Sequence, residues 1–174
     1  MPDTRRQPPP LDAAKLEALA LRYVERFATT RGKLAAYLAR KVRERGWSGA
    51  IVDPADLAER MAALGYVNDG VFAEARARSL TRRGYGVRRV SQALRAAHVD
   101  EDDAAPALEQ SAEDAFASAL ALARRRRFGP YARTPADDRT RERQIAAMLR
   151  AGHGFALARR IVSAPPGADL TPDQ

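Results

Sequence analysis

The chain has 174 residues, 45% of them hydrophobic, with 30 basic against 22 acidic side chains for a net charge of +8, and no cysteine. That apolar content excludes wholesale disorder, and a chain of this length buries well over half of its extended surface on folding. The lack of cysteine excludes disulfides and thiolate chemistry, while the positive charge favours encounters with polyanions or acidic protein surfaces.

Alanine and arginine are abundant and β-branched residues are sparse between the turns, which favours helix over strand. Only Lys15, Lys33 and Lys41 are lysines, a bias to which a GC-rich coding sequence contributes without any functional demand. The first thirty residues hold no apolar signal core, and no apolar run approaches membrane-spanning length, so a cytoplasmic protein is expected.

Residues 1–12, with Pro2 and Pro8-Pro9-Pro10, read as a flexible arm. A first helix over about 13–28 presents Leu16, Leu19, Ala20, Tyr23, Val24 and Phe27 on one face. Thr29 or Thr30 caps a second helix over about 31–45, with Leu34, Tyr37, Leu38 and Val42 inward, ended by Gly46. Asp53-Pro54 opens a third over about 54–64, carrying Leu57, Met61 and Leu64 and stopped by Gly65.

Tyr66 and Val67 are expected to fold back on the core before Asn68 caps the fourth helix. In that helix Val71, Phe72, Ala75, Ser79 and Leu80 return at helical spacing, and after Gly84-Tyr85-Gly86 a fifth repeats the pattern with Val87, Val90, Leu94 and Ala97. Over 69–99 seven arginines face two acidic residues. The acidic run at 100–103 suits a helix N-terminus, although Pro106 limits where a short sixth helix begins.

Ser111 then caps a seventh helix with Phe116, Ala119, Leu120 and Ala123 inward and four arginines, 124–127, at its end. Residues 128–138 read as a loop. An eighth helix over about 139–151 carries Ile145, Met148 and Leu149, the Gly152-His153-Gly154 turn follows, and a ninth over about 155–163 carries Phe155, Ala158, Ile161 and Val162. The proline-rich 164–174 reads as a loose tail.

Leu34 and Leu38 match Val90 and Leu94 at an offset of 56, and these match Ile145 and Leu149 at 55. The reading is an all-α elongated array of three tandem three-helix modules, 13–67, 68–110 and 111–163, whose stacking completes a shared core. Residues 128–138 act as an insertion in the last module. An irregular helical domain whose pairs merely share packing constraints is the alternative.

Catalytic chemistry has little to use. His98 and His153 sit beside turns as surface or cap residues, no second histidine lies at metal-pair spacing, and no phosphate-cradling glycine loop is present. No cofactor, metal site or enzymatic activity is expected. The arginines carry more: Arg40, Lys41 and Arg43, then Arg88, Arg89 and Arg95, then Arg143 and Arg150, recur on corresponding helices. Such patches neutralise nucleic-acid phosphate or dock on acidic protein.

The series Leu21-Arg22-Tyr23-Val24, Thr30-Arg31-Gly32-Lys33-Leu34, Leu64-Gly65-Tyr66-Val67-Asn68-Asp69 with Phe72-Ala73, and Arg83-Gly84-Tyr85-Gly86 resembles the bacterial recombination regulators of the RecX family. That resemblance implies a non-enzymatic, monomeric regulator that binds the RecA filament, with single- or double-stranded DNA inside it, and restrains strand exchange and ATP hydrolysis in DNA repair, recombination and the SOS response. It implies contacts through Arg83, Tyr85, Arg88, Arg89, Arg95, Arg143 and Arg150, with Tyr66, Asp69, Phe72 and Leu94 maintaining the modules. A helix-turn-helix-like DNA-binding transcriptional regulator is the alternative.

Overall fold

The computed structural model describes residues 9–172. Among these residues the chain is all-helical: α1 Ala13–Arg26, α2 Arg31–Arg45, α3 Pro54–Ala63, α4 Asp69–Arg82, α5 Val87–Arg95, α6 Glu101–Glu113, α7 Ala115–Arg126, α8 Asp138–Arg150 and α9 Phe155–Ser163. The chain divides into two compact units, residues 1–72 with 97–99, and residues 73–96 with 100–174.

In the first unit the caps read from sequence are made. Thr30 accepts from the Lys33 amide, Asp53 from Ala55 with Pro54 at the first helical position, and Asn68 from Val71. The helices bury Leu16 and Ala20 of α1, Leu34 and Leu38 of α2, and Leu57, Ala58 and Met61 of α3. Each large side chain contributes about 1.5–3 kcal/mol relative to exposure.

Val67 joins that core, but Tyr66 does not: it is 53% exposed, contrary to the expectation that both fold back. After α3 the Tyr66 amide bonds back to Met61 and the chain reverses at Gly65, so the next inward position falls on Val67. Leu64 and Phe27 are also exposed.

Leu11 corrects the reading of 1–12 as an unpacked arm. It is fully buried, its amide donates to the Gly46 carbonyl, and its carbonyl accepts from Ser48, forming a backbone bridge beside Trp47. Asp12 then caps α1 through the Lys15 amide. The remainder of that arm, 1–8, lies outside the described residues, as do 173–174 of the tail.

In the second unit α6 runs unbroken through Pro106, so Ser111 is not a helix cap. It is buried in α6 with its hydroxyl donating to the Ala107 carbonyl, and α7 starts after Asp114. The proline is tolerated because the carbonyl it cannot bond belongs to Asp102 on the exposed side of α6. The loop 128–138 contains a short 3-10 turn, Gly129–Tyr131.

The core of this unit gathers Ala119, Leu122 and Ala123 of α7, Met148 of α8, and Ala158, Ile161 and Val162 of α9. Leu149 is 38% exposed, so Met148 rather than the Ile145–Leu149 pair of the repeat register is the buried residue of α8. In α4 the buried apolar residues are Ala73, Ala77 and Leu80, while Val71 is 60% exposed and Ala75 exposed. The tail also packs: Gly167 donates to the Pro130 carbonyl and Leu170 lies against the core.

Candidate functional site

The turn between α4 and α5 is built tightly. Gly84 has φ +81° and lies so near the α7 backbone that a Cβ there meets Leu122 N at 2.8 Å. Gly86 precedes α5 without any side-chain cap, and the α8–α9 turn serves instead: the Gly86 amide donates to the Ala151 carbonyl at 2.9 Å and the Arg88 amide to Gly152 at 3.4 Å. Gly152, at φ +97°, leaves room for Arg89 N, which a Cβ there approaches to 2.5 Å.

His153 completes this clasp. It is 2% exposed rather than a surface residue, and its Nε2 donates to the Gly84 carbonyl at 3.0 Å. Burial pushes its pKa below the ordinary histidine value, while the bond to Gly84 opposes that shift. The other histidine, His98, is exposed at a left-handed turn position, φ 56°.

With α5 seated on Val90 and Leu94, its opposite side displays Arg88, Ser91, Gln92 and Arg95, four positions that share a helical stripe. Arg95 donates to the Ser91 hydroxyl at 2.9 Å and Arg89 to the Gln92 side-chain oxygen at 3.4 Å. Arg83 lies 5.6 Å from the centroid of half-buried Tyr85, and its carbonyl accepts from Arg125 at 2.7 Å. Tyr85 itself packs against the α7–α9 core.

Among the described residues, Arg83, Arg88, Arg89, Arg95, Arg143 and Arg150 are exposed and none forms an ion pair. The first unit contrasts, since Arg40 and Lys41 pair with Glu44 at 3.7 and 2.6 Å. Arg143 is felt by the Asp137 carboxylate, held below its ordinary pKa by bonds to Thr140 first and by Arg143 and Arg141 after. Backbone bonds join the start of α5 to Ala151 and Gly152, directly after Arg150 at the end of α8; Arg143 lies two turns earlier on α8.

The structural residues separate differently. Asp69 is 4% exposed and accepts the Arg31 amide at 2.9 Å and Arg31 Nε at 3.3 Å. Leu94 is buried, Phe72 half-buried beneath the Lys33 ammonium, and Tyr66 faces solvent. Sequence reasoning missed the His153 clasp and the presence of Ser91 and Gln92 on the arginine stripe. The i, i+3, i+4, i+7 spacing from Arg88 carried the second signal.

Among the described residues no group of three His, Asp or Glu side chains converges as a metal site, and no helix is long and apolar enough to cross a membrane. What this surface can do chemically is present guanidinium, hydroxyl and amide donors to an anionic partner.

Residues 68–108 match the model of the RecX second three-helix domain. The chain is 31% identical over 175 residues to a protein named regulatory protein RecX from Myxococcus xanthus strain DK1622, covering 92% of this chain and 91% of that one. It is 37% identical over 133 residues to regulatory protein RecX of Halorhodospira halophila strain DSM 244 / SL1, covering 76% and 77%. In fold it is similar to the crystal structure of RecX from Lactobacillus salivarius, with TM-score 0.61, 18% identity, and coverage of 86% and 93%. With 31% identity to a relative of that name over nearly the full length of both chains, and the arginine-bearing pair α4–α5 inside the matched domain, the chain belongs to the RecX family of regulatory proteins.

Proposed function

We propose that the protein binds the RecA nucleoprotein filament and restrains its recombinase and ATPase activities, acting in the cytoplasm as a monomer without catalysis of its own. The observation that carries this reading is the set of six exposed arginines without ion pairs on the second unit of a RecX-family chain. Guanidinium groups left without carboxylate partners neutralise an anionic partner at little cost in broken internal bonds. Contacts spread over several repeating protomers add avidity that one patch lacks.

Mixing the protein with RecA, single-stranded DNA and ATP tests it. The expected result is co-sedimentation with the filament and a saturable fall in ATP turnover. Unchanged turnover across saturating amounts of protein sinks the reading.

A second reading, a transcriptional regulator, rests on the Arg, Ser and Gln donors sharing one face of α5, a residue set that reads base edges in the major groove. It predicts enrichment of one duplex sequence from a random pool. Equal recovery of all duplexes removes it.

A further inference from the structure

Between α5 and α6, within the second unit, runs an open groove of about 390 Å³ lined by Val87, Arg88, Ser91, Gln92, Arg95 and Leu108. Its floor is aliphatic, from Val87 and Leu108, both half-buried. Its rim is two guanidinium groups, a hydroxyl and a carboxamide. No carboxylate lines it, although the start of α6 is rich in acids, and among the described residues neither Arg88 nor Arg95 pairs with one.

We infer that this groove docks an acidic protein segment bearing an aliphatic side chain, the carboxylates meeting Arg88 and Arg95 and the aliphatic group resting on Val87 and Leu108. Two features of the groove select that occupant. The charge is of one sign and faces solvent, so an anionic partner is required. The floor is aliphatic, whereas grooves that hold single-stranded nucleic acid stack bases on aromatic rings, and this one has none.

Arg88 and Arg95 stand seven residues apart on one helix face, about 10 Å along the axis. A segment in polyproline II conformation, with three residues per turn, sets carboxylates three residues apart on one side and about 9 Å from each other, close to that distance, and an aliphatic residue between them reaches the floor. Ser91 and Gln92, between the two arginines, are free to bond the segment's backbone apart from the bonds Ser91 accepts from Arg95 and Gln92 from Arg89. The inference deepens the filament reading, since it assigns α5–α6 to recombinase protein rather than to DNA.

The test uses the full chain and two independent arms. In the first, a fluorescein-labelled twelve-residue peptide with one leucine among every two glutamates is titrated by anisotropy, beside an all-glutamate peptide of equal charge and a dT20 oligonucleotide. The leucine peptide is expected to bind about tenfold more tightly than the all-glutamate one, and R88Q/R95Q to lose about tenfold in affinity for it while R139Q/R159Q does not. Equal binding of the two peptides, no binding of either, or displacement by dT20 at lower concentration than by unlabelled peptide overturns the inference.

In the second arm, S91C on this cysteine-free chain carries a benzophenone and is irradiated on the RecA filament. Cross-linking to an acidic peptide of the recombinase supports the inference; cross-linking to the DNA overturns it. The two readings fail separately. Leucine-peptide binding without any fall in ATP turnover removes the filament role and keeps the groove, whereas full restraint by R88Q/R95Q keeps the filament role and removes the groove.

Discussion

Replacing Asp69 by alanine tests how the first turn of α4 is fixed within the first unit. The carboxylate, 4% exposed, accepts two bonds from Arg31: the backbone amide, which is the first of α2, and the side-chain Nε. Losing the amide's acceptor costs about 1 kcal/mol, since that N–H has no intrahelical partner. Removing one member of a buried ion pair costs about 3–5 kcal/mol, but the Arg31 side chain is 28% exposed and keeps Glu59 at 3.3 Å. A further 1–2 kcal/mol is therefore the reasonable share, so D69A is expected to cost about 2–3 kcal/mol and D69N about 1 kcal/mol, because asparagine still accepts the Arg31 amide. Trp47, the single tryptophan, lies in the same unit, so its fluorescence in urea reports the loss directly. A D69A midpoint within about 0.5 kcal/mol of the parent, or D69N as damaging as D69A, refutes the account.

Reversing charge with R88E/R89E is expected to weaken filament co-sedimentation by about 10-fold or more with unchanged far-UV circular dichroism; lost helicity makes the two arginines structural. G152A forces a left-handed backbone to carry a Cβ 2.5 Å from Arg89 N, and is expected to destabilise by about 2 kcal/mol or more in urea and to weaken filament binding. His153 gives a pH signature. Its folded pKa lies below the ordinary 6.5, so the unfolded chain binds the proton first, and the stability it contributes is full above that value and declines as pH falls through it. Urea midpoints between about pH 8 and pH 5 should fall more steeply for the parent than for H153Q, and parallel curves refute the clasp's protonation.

Helix positions were legible wherever a cap or glycine stood at a boundary: Thr30, Asp53 and Asn68 bond the amides their side chains promised, and Gly46 ends α2. Burial was less legible, for two physical reasons. Where alanine does the packing, as with Ala73 and Ala77 in α4, a reading that follows large side chains selects the wrong stripe. Where one backbone segment caps another far away in sequence, as the α8–α9 turn caps α5, local pattern holds no trace of the partner. Ser111 illustrates the converse error, a cap signal overridden because α6 had already passed Pro106 and the hydroxyl could bond back to Ala107.

The candidate surface divides along the same line. That α5 is basic was visible in its arginines, and so was the place of the acidic run at a helix N-terminus; that Arg88 and Arg95 border a groove with Leu108 of α6 was not, because the pairing of two helices leaves no trace in local spacing. The acids begin α6 at Asp100, Glu101, Asp102 and Asp103, where the helix N-terminus stabilises negative charge. None of them lines the groove, and Arg88 and Arg95 face solvent across its aliphatic floor. The unit thus keeps a cationic face available to a partner although four acids stand at the start of the neighbouring helix. Substituting E101Q/D102N in the first turn of α6 is expected to lower stability while leaving filament binding unchanged, whereas moving a carboxylate onto the stripe with Q92E is expected to weaken binding without loss of stability. Co-sedimentation and urea denaturation of the same two variants distinguish these effects, and the reverse pattern refutes the idea that the acids serve α6 rather than the arginines.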